Sequence, residues 1–164
     1  MSDRGSSALA TMTGIAAAPG VTRLAFGSID FALDVGADDS DTPLLFARSA
    51  LVVASRAAGV AAPVDGVTAA LDDTSVVAAG AAAAVALGFG GKLCIHPHQV
   101  GAVNVAFSPS EEDVHRAGRI LDSVTDGGAG RLDGQLVDRP IIERARMILR
   151  RGGFRPDADD FGRK

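Results

Sequence analysis

Short apolar runs alternate with helix-length segments through the middle of this sequence, and this alternation constrains the fold more than any other feature. The three runs are Leu24–Phe26, Ala61–Val64 and Lys92–Ile95. A connection that contains a whole helix joins strands that run parallel to each other. Parallel strands that are buried on both faces read as short, nearly continuous apolar runs. The sequence therefore predicts an α/β fold with three parallel strands.

Helix signals fill the segments between these runs. A helix is predicted over residues 8–18, where Pro19-Gly20 ends it. A second is predicted over residues 44–58, with Thr42 as its N-cap and Pro43 at its first helical position. A third is predicted to begin after Asp72 or Asp73 and to end at Leu87.

Two more helices are predicted in the last third of the chain. Ser108 and Glu111 have the spacing of a capping box, with the helix behind them. A final helix is predicted from about Arg139, with Asp138 as its N-cap. The resulting domain plan has a frayed or disordered start at residues 1–7, three parallel βα units at 8–107, a helical segment at 108–151 and a disordered tail at 152–164.

Composition narrows the class of protein. The chain has 164 residues, 47% of them hydrophobic, which is enough for one domain with a core. A net charge of −4 and an aromatic content of 4% without Trp or Tyr argue against nucleic acid or an anionic membrane as a partner. The longest low-charge run, Val76–Gly91, is too short to span a bilayer. With Cys94 as the single cysteine, we expect a cytoplasmic protein.

Candidate site residues stand where the predicted strands end, because reactive groups gather at the carboxyl ends of parallel strands. Asp30 follows the first strand through Gly27, Ser28 and Ile29, a small-residue turn that leaves room for a ligand. A carboxylate there suits a hard cation such as Mg²⁺. Asp30 could equally cap a turn, and spacing alone does not separate these two interpretations. Asp34, four residues on, shares a helical face with Asp30 or faces solvent, and we favour solvent.

The other two strand ends offer Asp65 and His96. Asp65 precedes Gly66 and is more often an ordinary turn residue than a site residue. His96 and His98 flank Pro97, which does not match the ligand spacing of a zinc site. His96 fits better as a polar group that lines a pocket.

Five segments, in order along the chain, carry a resemblance to one known family. They are Leu24–Gly36, Ala47–Leu51, Ala62–Val67, Gly88–Pro97 and Gly134–Pro140. The first resembles the sixth-strand motif of citrate lyase β-subunit-like proteins, in the HpcH/HpaI aldolase superfamily. The next three resemble the helix, seventh strand and eighth strand that follow, and the last is similar to the family's C-terminal segment. The resemblance extends from about Ile15 to Arg150.

The resemblance implies a partial TIM (β/α)₈ barrel, made of about the last three βα units, with a C-terminal helical extension. It also implies a lyase that makes or breaks a C–C bond next to a carboxylate or a CoA thioester, with Mg²⁺ as a Lewis acid. In this family, Mg²⁺ is held by a Glu after the fifth strand and an Asp after the sixth, and that Asp matches Asp30.

The resemblance assigns roles to further residues. Asp138 matches an Asp that, in related acyl-CoA lyases, reaches the active site from the C-terminal segment of a neighbouring subunit, so it is an acid/base candidate. The residues expected to line a substrate or cofactor pocket are Gly27, Ser28, Asp65, His96 and Pro97.

One departure from the family leaves three functions open. The position of the metal-binding Glu falls near Arg4, and no Glu precedes Glu111, so the second carboxylate ligand of Mg²⁺ is missing. We expect a truncated chain that forms a homo-oligomer or pairs with a separate barrel half. It is then a lyase component acting on a small carboxylate or CoA thioester, a non-catalytic remnant or interaction module, or a small binding domain for a CoA-like ligand near His96.

Overall fold

A computed structural model of the chain describes residues 6–124 and 130–153, which divide between residue 107 and residue 108 into two compact units. The first unit contains α1 (Ser6–Ala16), β1 (Arg23–Ala25), α2 (Ser28–Val35), α3 (Asp41–Ala57), β2 (Ala61–Asp65), α4 (Thr74–Leu87), β3 (Gly91–Lys92) and α5 (Pro97–Phe107). The second contains α6 (Glu111–Asp122), β4 (Gly130–Leu132), β5 (Gln135–Val137) and α7 (Arg139–Arg151). The chain is therefore a mixed α/β protein.

The sheet of the first unit has the order β1-β2-β3, and both strand pairs are parallel. This confirms the predicted parallel arrangement, in which helices connect successive strands. The third strand is shorter than predicted and stops at Lys92. Leu93 N still donates to Asp65 O, but Ile95 N donates to the side chain of Gln99 at 2.9 Å. Because this bond turns the chain into α5, residues 94 and 95 do not extend the strand.

Apolar side chains form two buried clusters in the first unit. One joins α1, β1, α2 and α3, and its fully enclosed members include Phe26, Leu44 and Ala47. The other lies between α4 and α5 around Val77, Ala81 and Val103. Alanines lie among larger side chains in both clusters. Because such interiors are closely packed, even a small change of side-chain volume there alters stability.

The second unit is a helical hairpin with a small antiparallel sheet. Helices α6 and α7 pack through a cluster that includes Leu121, Ile142 and Leu149. Strands β4 and β5 pair antiparallel through a tight turn at Asp133-Gly134, where both residues have positive φ. Gly134 adopts this backbone without strain, which is the usual reason for glycine in such a turn.

Two helices of the first unit were not predicted. Helix α2 occupies the segment that was interpreted as a turn, with Gly27 as its N-cap and Gly36 in the left-handed region as its C-cap. Helix α5 begins at Pro97, which was interpreted only as the end of a strand. Proline is favoured at the first helical position because its missing N–H has no partner there, so Pro97 was a start signal.

Two predicted caps are wrong by two residues. Ser40, not Thr42, is the N-cap of α3, so Pro43 is the third residue of the helix and not the first. Ser110, not Ser108, caps α6, and its capping-box partner is Asp113. Asp113 N donates to Ser110 Oγ at 3.0 Å, and Ser110 N donates to Asp113 Oδ2 at 3.3 Å. Asp113 therefore fills the capping-box position that was predicted for Glu111, although its side chain is shorter.

Two other predicted caps are confirmed. Asp73 accepts from the backbone N–H groups of Ser75 and Val76 at the start of α4. A hydrogen bond from the Ser75 hydroxyl, followed by these two backbone bonds, lowers the pKa of Asp73 below its ordinary value. Asp138 accepts from Ile141 N at 3.2 Å at the start of α7.

The predicted ends of the chain fall mostly outside the described residues, namely at positions 1–5 and 154–164. Ser6 and Ser7 were expected to fray but begin α1, where Ser6 N donates to Asp34 Oδ2 at 2.7 Å. Gly152 was expected in the disordered tail, yet it is the C-cap of α7, and its N–H donates to the carbonyl oxygen of Ile148. In the parts of the chain that the structure describes, no helix is long and apolar enough to cross a bilayer.

Candidate active site

Asp30 lies in the first turn of α2, directly after the carboxyl end of β1. A Cβ atom placed on Gly27 would be 3.7 Å from Asp30 Oδ2, so the carboxylate folds back over the start of its own helix. A negative charge is favourable there because the helix dipole places partial positive charge at the N-terminus. Asp30 is exposed, and among residues 6–124 and 130–153 no hydrogen bond or ion pair engages it. Its oxygens are free to bind a ligand.

A pocket of about 700 Å³ opens beside Asp30, between α1, β1 and α2. Its walls are mostly apolar and include Leu9, Met12 and Phe31. Asp34 also lines it and is exposed, as favoured from the sequence, but its Oδ2 accepts the bond from Ser6 N that was described above. Asp30 is thus the carboxylate at this pocket that keeps its coordinating capacity.

Asp65 has very different surroundings, because it is the centre of a buried ion-pair network. Arg48 Nε donates to Asp65 Oδ1 at 3.1 Å, and Arg48 Nη2 donates to Asp65 Oδ2 at 2.7 Å. Lys92 Nζ lies 3.5 Å from the same Oδ2, and Asp41 Oδ1 accepts from Arg48 Nη1 at 2.8 Å. The exposed fraction is 3% for the Asp65 side chain but 72% for that of Asp41.

This network ties together the ends of two strands and one helix. Two cations and two carboxylates balance its charge, and the Arg48 guanidinium also lies over the ring of Phe89, at 5.8 Å from the centroid. Lys92 Nζ completes the network by donating to Gly66 O at 2.8 Å. Since both oxygens of Asp65 are engaged and buried, the carboxylate holds structure in place and offers no free face to a ligand.

Sequence reasoning missed Arg48 and Lys92. Arg48 lies on the buried face of α3, beside Ala47 and Leu51, where a charged residue requires a partner. The signal in the sequence was a charged residue on an apolar helix face, which called for an acidic partner such as Asp65. Lys92 carried no such signal, because it was interpreted as the first residue of a strand.

Ser28 and Gly66 join the end of β2 to the start of α2. A Cβ atom on Gly66 would lie 2.5 Å from Ser28 Cβ and closer still to its hydroxyl oxygen. No side chain fits at position 66 while Ser28 keeps its own, so the Ser28 side chain packs directly against the backbone of Gly66. The contact places the first residue of α2, two positions before Asp30, against the second strand.

His96 and Pro97 occupy the turn between β3 and α5. His96 is half-buried, and its Nδ1 accepts from His98 N at 3.3 Å, while the two rings meet at 4.6 Å. Pro97 is exposed at the start of α5. Gln99, which sequence reasoning missed, is buried and donates from Nε2 to the carbonyl oxygens of Thr68 and Ala70, each at 2.9 Å. It holds the loop after β2 against this turn.

Asp138 belongs to the second unit, where it is exposed and N-caps α7. Its cap uses Oδ1. The acid/base role that the resemblance implied for Asp138 stays a prediction.

The amino-acid sequence matches the family HpcH/HpaI aldolase/citrate lyase over residues 5–97, more than half of its 164 residues. The chain belongs to this family. The resemblance inferred from the strand-end motifs is thereby confirmed, and the match includes β1, β2, β3 and Asp30.

Known HpcH/HpaI relatives extend beyond this chain. The citrate lyase subunit beta-like protein of Deinococcus radiodurans is 40% identical over 138 residues, which is 80% of this chain and 48% of that protein. The solved structure of CitE from Mycobacterium tuberculosis in complex with magnesium, acetoacetate and coenzyme A is 30% identical, with a TM-score of 0.79 over 91% of this chain and 58% of that one. A citrate lyase from Burkholderia xenovorans LB400 is 30% identical, with a TM-score of 0.77 over 89% and 50%. The chain spans about half the length of the curated relatives it matches.

Asp30 is an exposed carboxylate at the end of β1 that no other described residue engages, so its oxygens have the chemistry of a magnesium donor. Within residues 6–124 and 130–153, no group of three or more His, Cys, Asp or Glu side chains could hold a metal ion. Mg²⁺ keeps several waters and is commonly bound through one or two carboxylates together with oxygens of the substrate. Asp30 alone therefore fits as one ligand of a site that other oxygens complete.

Proposed function

We propose that this chain is part of a Mg²⁺-dependent carbon–carbon lyase that cleaves a small carboxylate or acyl-CoA substrate by an aldol- or Claisen-type reaction. The observation that carries the proposal is the free, exposed carboxylate of Asp30 at the carboxyl end of β1, in a chain of the HpcH/HpaI family. The magnesium, acetoacetate and coenzyme A in the related CitE structure support this metal and this class of substrate.

In this proposal Asp30 supplies one carboxylate to Mg²⁺, and the remaining ligands are waters, substrate oxygens and groups outside the described residues. When bound, the metal acts as a Lewis acid that stabilises negative charge on a keto or enolate oxygen. The start of α2 adds partial positive charge at the same place. Gly27 and Ser28 form the wall of the site next to Asp30.

The buried residues of this chain position Asp30 rather than contact the substrate. The Ser28–Gly66 contact holds α2 against β2, and the Arg48–Asp65–Lys92 network holds the ends of β2 and β3 together. His96 and Pro97 border the neighbouring strand end and are proposed to contact the distal part of the substrate. Asp138 is retained as the proposed acid/base residue, since its cap uses only one carboxylate oxygen.

The parallel sheet is proposed to be part of a TIM (β/α)₈ barrel that further strands complete. Both end residues of β1 are exposed, and the outer edges of β1 and β3 have no strand partner within the described residues. An open strand edge presents unpaired N–H and C=O groups that favour pairing with another strand. A separate barrel half or another copy of the chain would supply those strands. The free thiol of Cys94 supports a reducing, cytoplasmic location.

Replacing Asp30 by Asn is expected to reduce Mg²⁺ affinity at least tenfold, because the substitution removes a charged ligand and keeps the side-chain shape. The measurement is a calorimetric titration of Mg²⁺ into the full chain, with and without acetoacetate. Asp72→Asn, another exposed acidic residue of the first unit, is the matched control and should titrate like the wild type.

Equal heats for the wild type and Asp30→Asn would remove Asp30 from the metal site. If neither protein bound Mg²⁺ in the presence of acetoacetate, the lyase proposal would fail for this chain, and a non-catalytic interaction module would be the better description.

A further inference from the structure

Helix α3 carries large apolar side chains on the face opposite the one that packs in the core. Leu45 is 47% exposed, Phe46 is 74% exposed and Val53 is 67% exposed. With 3.6 residues per turn, positions 45, 46, 49, 53 and 56 lie on one side of the helix. We call these five residues, Leu45, Phe46, Ser49, Val53 and Arg56, the α3 outer face.

The α3 outer face has the character of a contact surface. Clustered apolar side chains with polar groups at their margins mark sites of protein association, whereas single exposed apolar residues need no explanation. Phe46 and Val53 are two helical turns apart, and the half-exposed Ser49 lies between them. A small residue at this central position lets another helix approach closely.

Charge at the two ends of the helix indicates which partner fits. Asp38, Asp39 and Asp41 lie at its N-terminal end, and Arg56 lies in its last turn. In the part of the chain that the structure describes, Arg56 forms no ion pair. One end of α3 is thus acidic and the other basic, so an antiparallel copy of the same helix would match opposite charges at both ends.

The spacing along the helix supports this antiparallel match. Arg56 is seven residues after Ser49, and Thr42 is seven residues before it, which places each about 10 Å from Ser49 along the axis. If a two-fold axis passes at Ser49, Arg56 of one copy lies opposite Thr42 of the other, next to Asp41 and within about one turn of Asp38. A parallel pairing would instead bring like charges together, which is unfavourable.

We propose that the α3 outer face binds a second copy of this chain, with the two α3 helices antiparallel about a two-fold axis at Ser49. Phe46 of each copy packs beside Val53 of the other, and Arg56 pairs with the acidic N-terminal end of the facing helix. The contact is isologous and closes on itself, as the commonest homodimers do. It is distinct from the open edge of the sheet, where the proposed barrel would be completed.

Analytical ultracentrifugation of the full chain tests the proposal through its concentration dependence. Phe46→Ser and Arg56→Glu should each raise the dimer dissociation constant at least tenfold. Combining Arg56→Glu with Asp38→Lys and Asp39→Lys should restore dimerisation, because the charges are then exchanged on both copies. Val105→Ser, at a residue of α5 that is 76% exposed, is the matched control and should leave the constant unchanged. Regained association by the triple variant also shows that Arg56→Glu does not prevent folding, and far-ultraviolet circular dichroism checks the fold of Phe46→Ser.

A cross-linking experiment tests the two-fold axis directly. In a Cys94→Ser background, Ser49→Cys should form a disulfide-linked dimer under mild oxidation, whereas Val105→Cys should not. A wild type that stays monomeric at high concentration would overturn the proposal. So would a dimer that is insensitive to Phe46→Ser, or equal cross-linking at both positions, because association would then involve another surface such as the sheet edge. Mg²⁺ binding at Asp30 is independent of all these outcomes.

Discussion

Asp65→Asn is expected to lower the free energy of unfolding by about 3–5 kcal/mol, the usual cost of removing one partner from a buried ion pair. Arg48 and Lys92 would keep their charges in an interior where the Asp65 side chain is only 3% exposed. Asp41 and Gly66 O would be their remaining partners. The penalty arises because a buried cation without a counter-charge has lost its hydration and gained little in return.

Asp41→Asn is the matched control, because Asp41 contacts the same guanidinium at nearly the same distance. Its side chain is 72% exposed, so solvent screens the pair, and a loss of about 0–1 kcal/mol is expected. Urea titration followed by far-ultraviolet circular dichroism measures both variants. Hydrogen exchange of residues 61–66 locates the effect in β2. If both substitutions cost the same, burial would not be what makes the Asp65 pair important.

A double-mutant cycle with Arg48→Met separates the ion pair from other contacts of Arg48. The two residues contact each other, so their effects should not add, and the double variant should be more stable than the sum of the single changes implies. Additive losses would show that Asp65 and Arg48 stabilise the fold independently, which the bidentate geometry argues against.

Gly66→Ala is expected to cost about 1–3 kcal/mol, as overpacking of a closely packed interior does. The new methyl group would overlap Ser28, whose Cβ lies 2.5 Å from the methyl position. Because the obstacle includes the Cβ atom, rotation of the Ser28 side chain cannot relieve it, and the start of α2 must move. The same urea titration measures the loss.

Ser28→Gly should recover much of that stability, because it removes the atoms that the new methyl group meets. Gly101→Ala in α5 is the control, since its methyl group would meet nothing within 4 Å. That substitution should be neutral or stabilising by up to about 1 kcal/mol, because alanine favours the helix more than glycine does. A Gly66→Ala loss that persists in the Ser28→Gly background would mean that another contact dominates.

Both predictions concern how the candidate site is held rather than which atom reacts. Asp30 is exposed, whereas Ser28 and Gly66 form the contact at the start of its helix, and Asp65 ties β2 to α3 and β3. If the proposed metal site is correct, Gly66→Ala should also weaken Mg²⁺ binding, since it displaces the helix that carries Asp30. The free carboxylate and its buried support would then act as one unit.

Local signals determined much of the secondary structure from the sequence. The alternation of apolar runs and helices predicted three parallel strands. The cap at Asp138 was identified, and the cap of α4 was narrowed to Asp72 or Asp73, of which the structure uses Asp73. These signals act within a few residues, so they can be interpreted without the fold. The strand-end motifs likewise identified the family and placed Asp30 at the end of β1. Helices α2 and α5 were missed because their start signals, Gly27 and Pro97, also end strands.

Tertiary structure alone decided which strand-end carboxylate is free and which is engaged. Asp30 and Asp65 were both strand-end candidates in the sequence, where Asp65 was favoured as an ordinary turn residue, yet Asp65 bonds Arg48, 17 residues away, and Lys92, 27 residues away. Those partners meet because α3 and β3 both pack against β2, and no local pattern encodes that distance in space. Residue type and spacing determined where acidic groups occur, whereas packing determined which of them keeps its charge open to solvent and to a ligand.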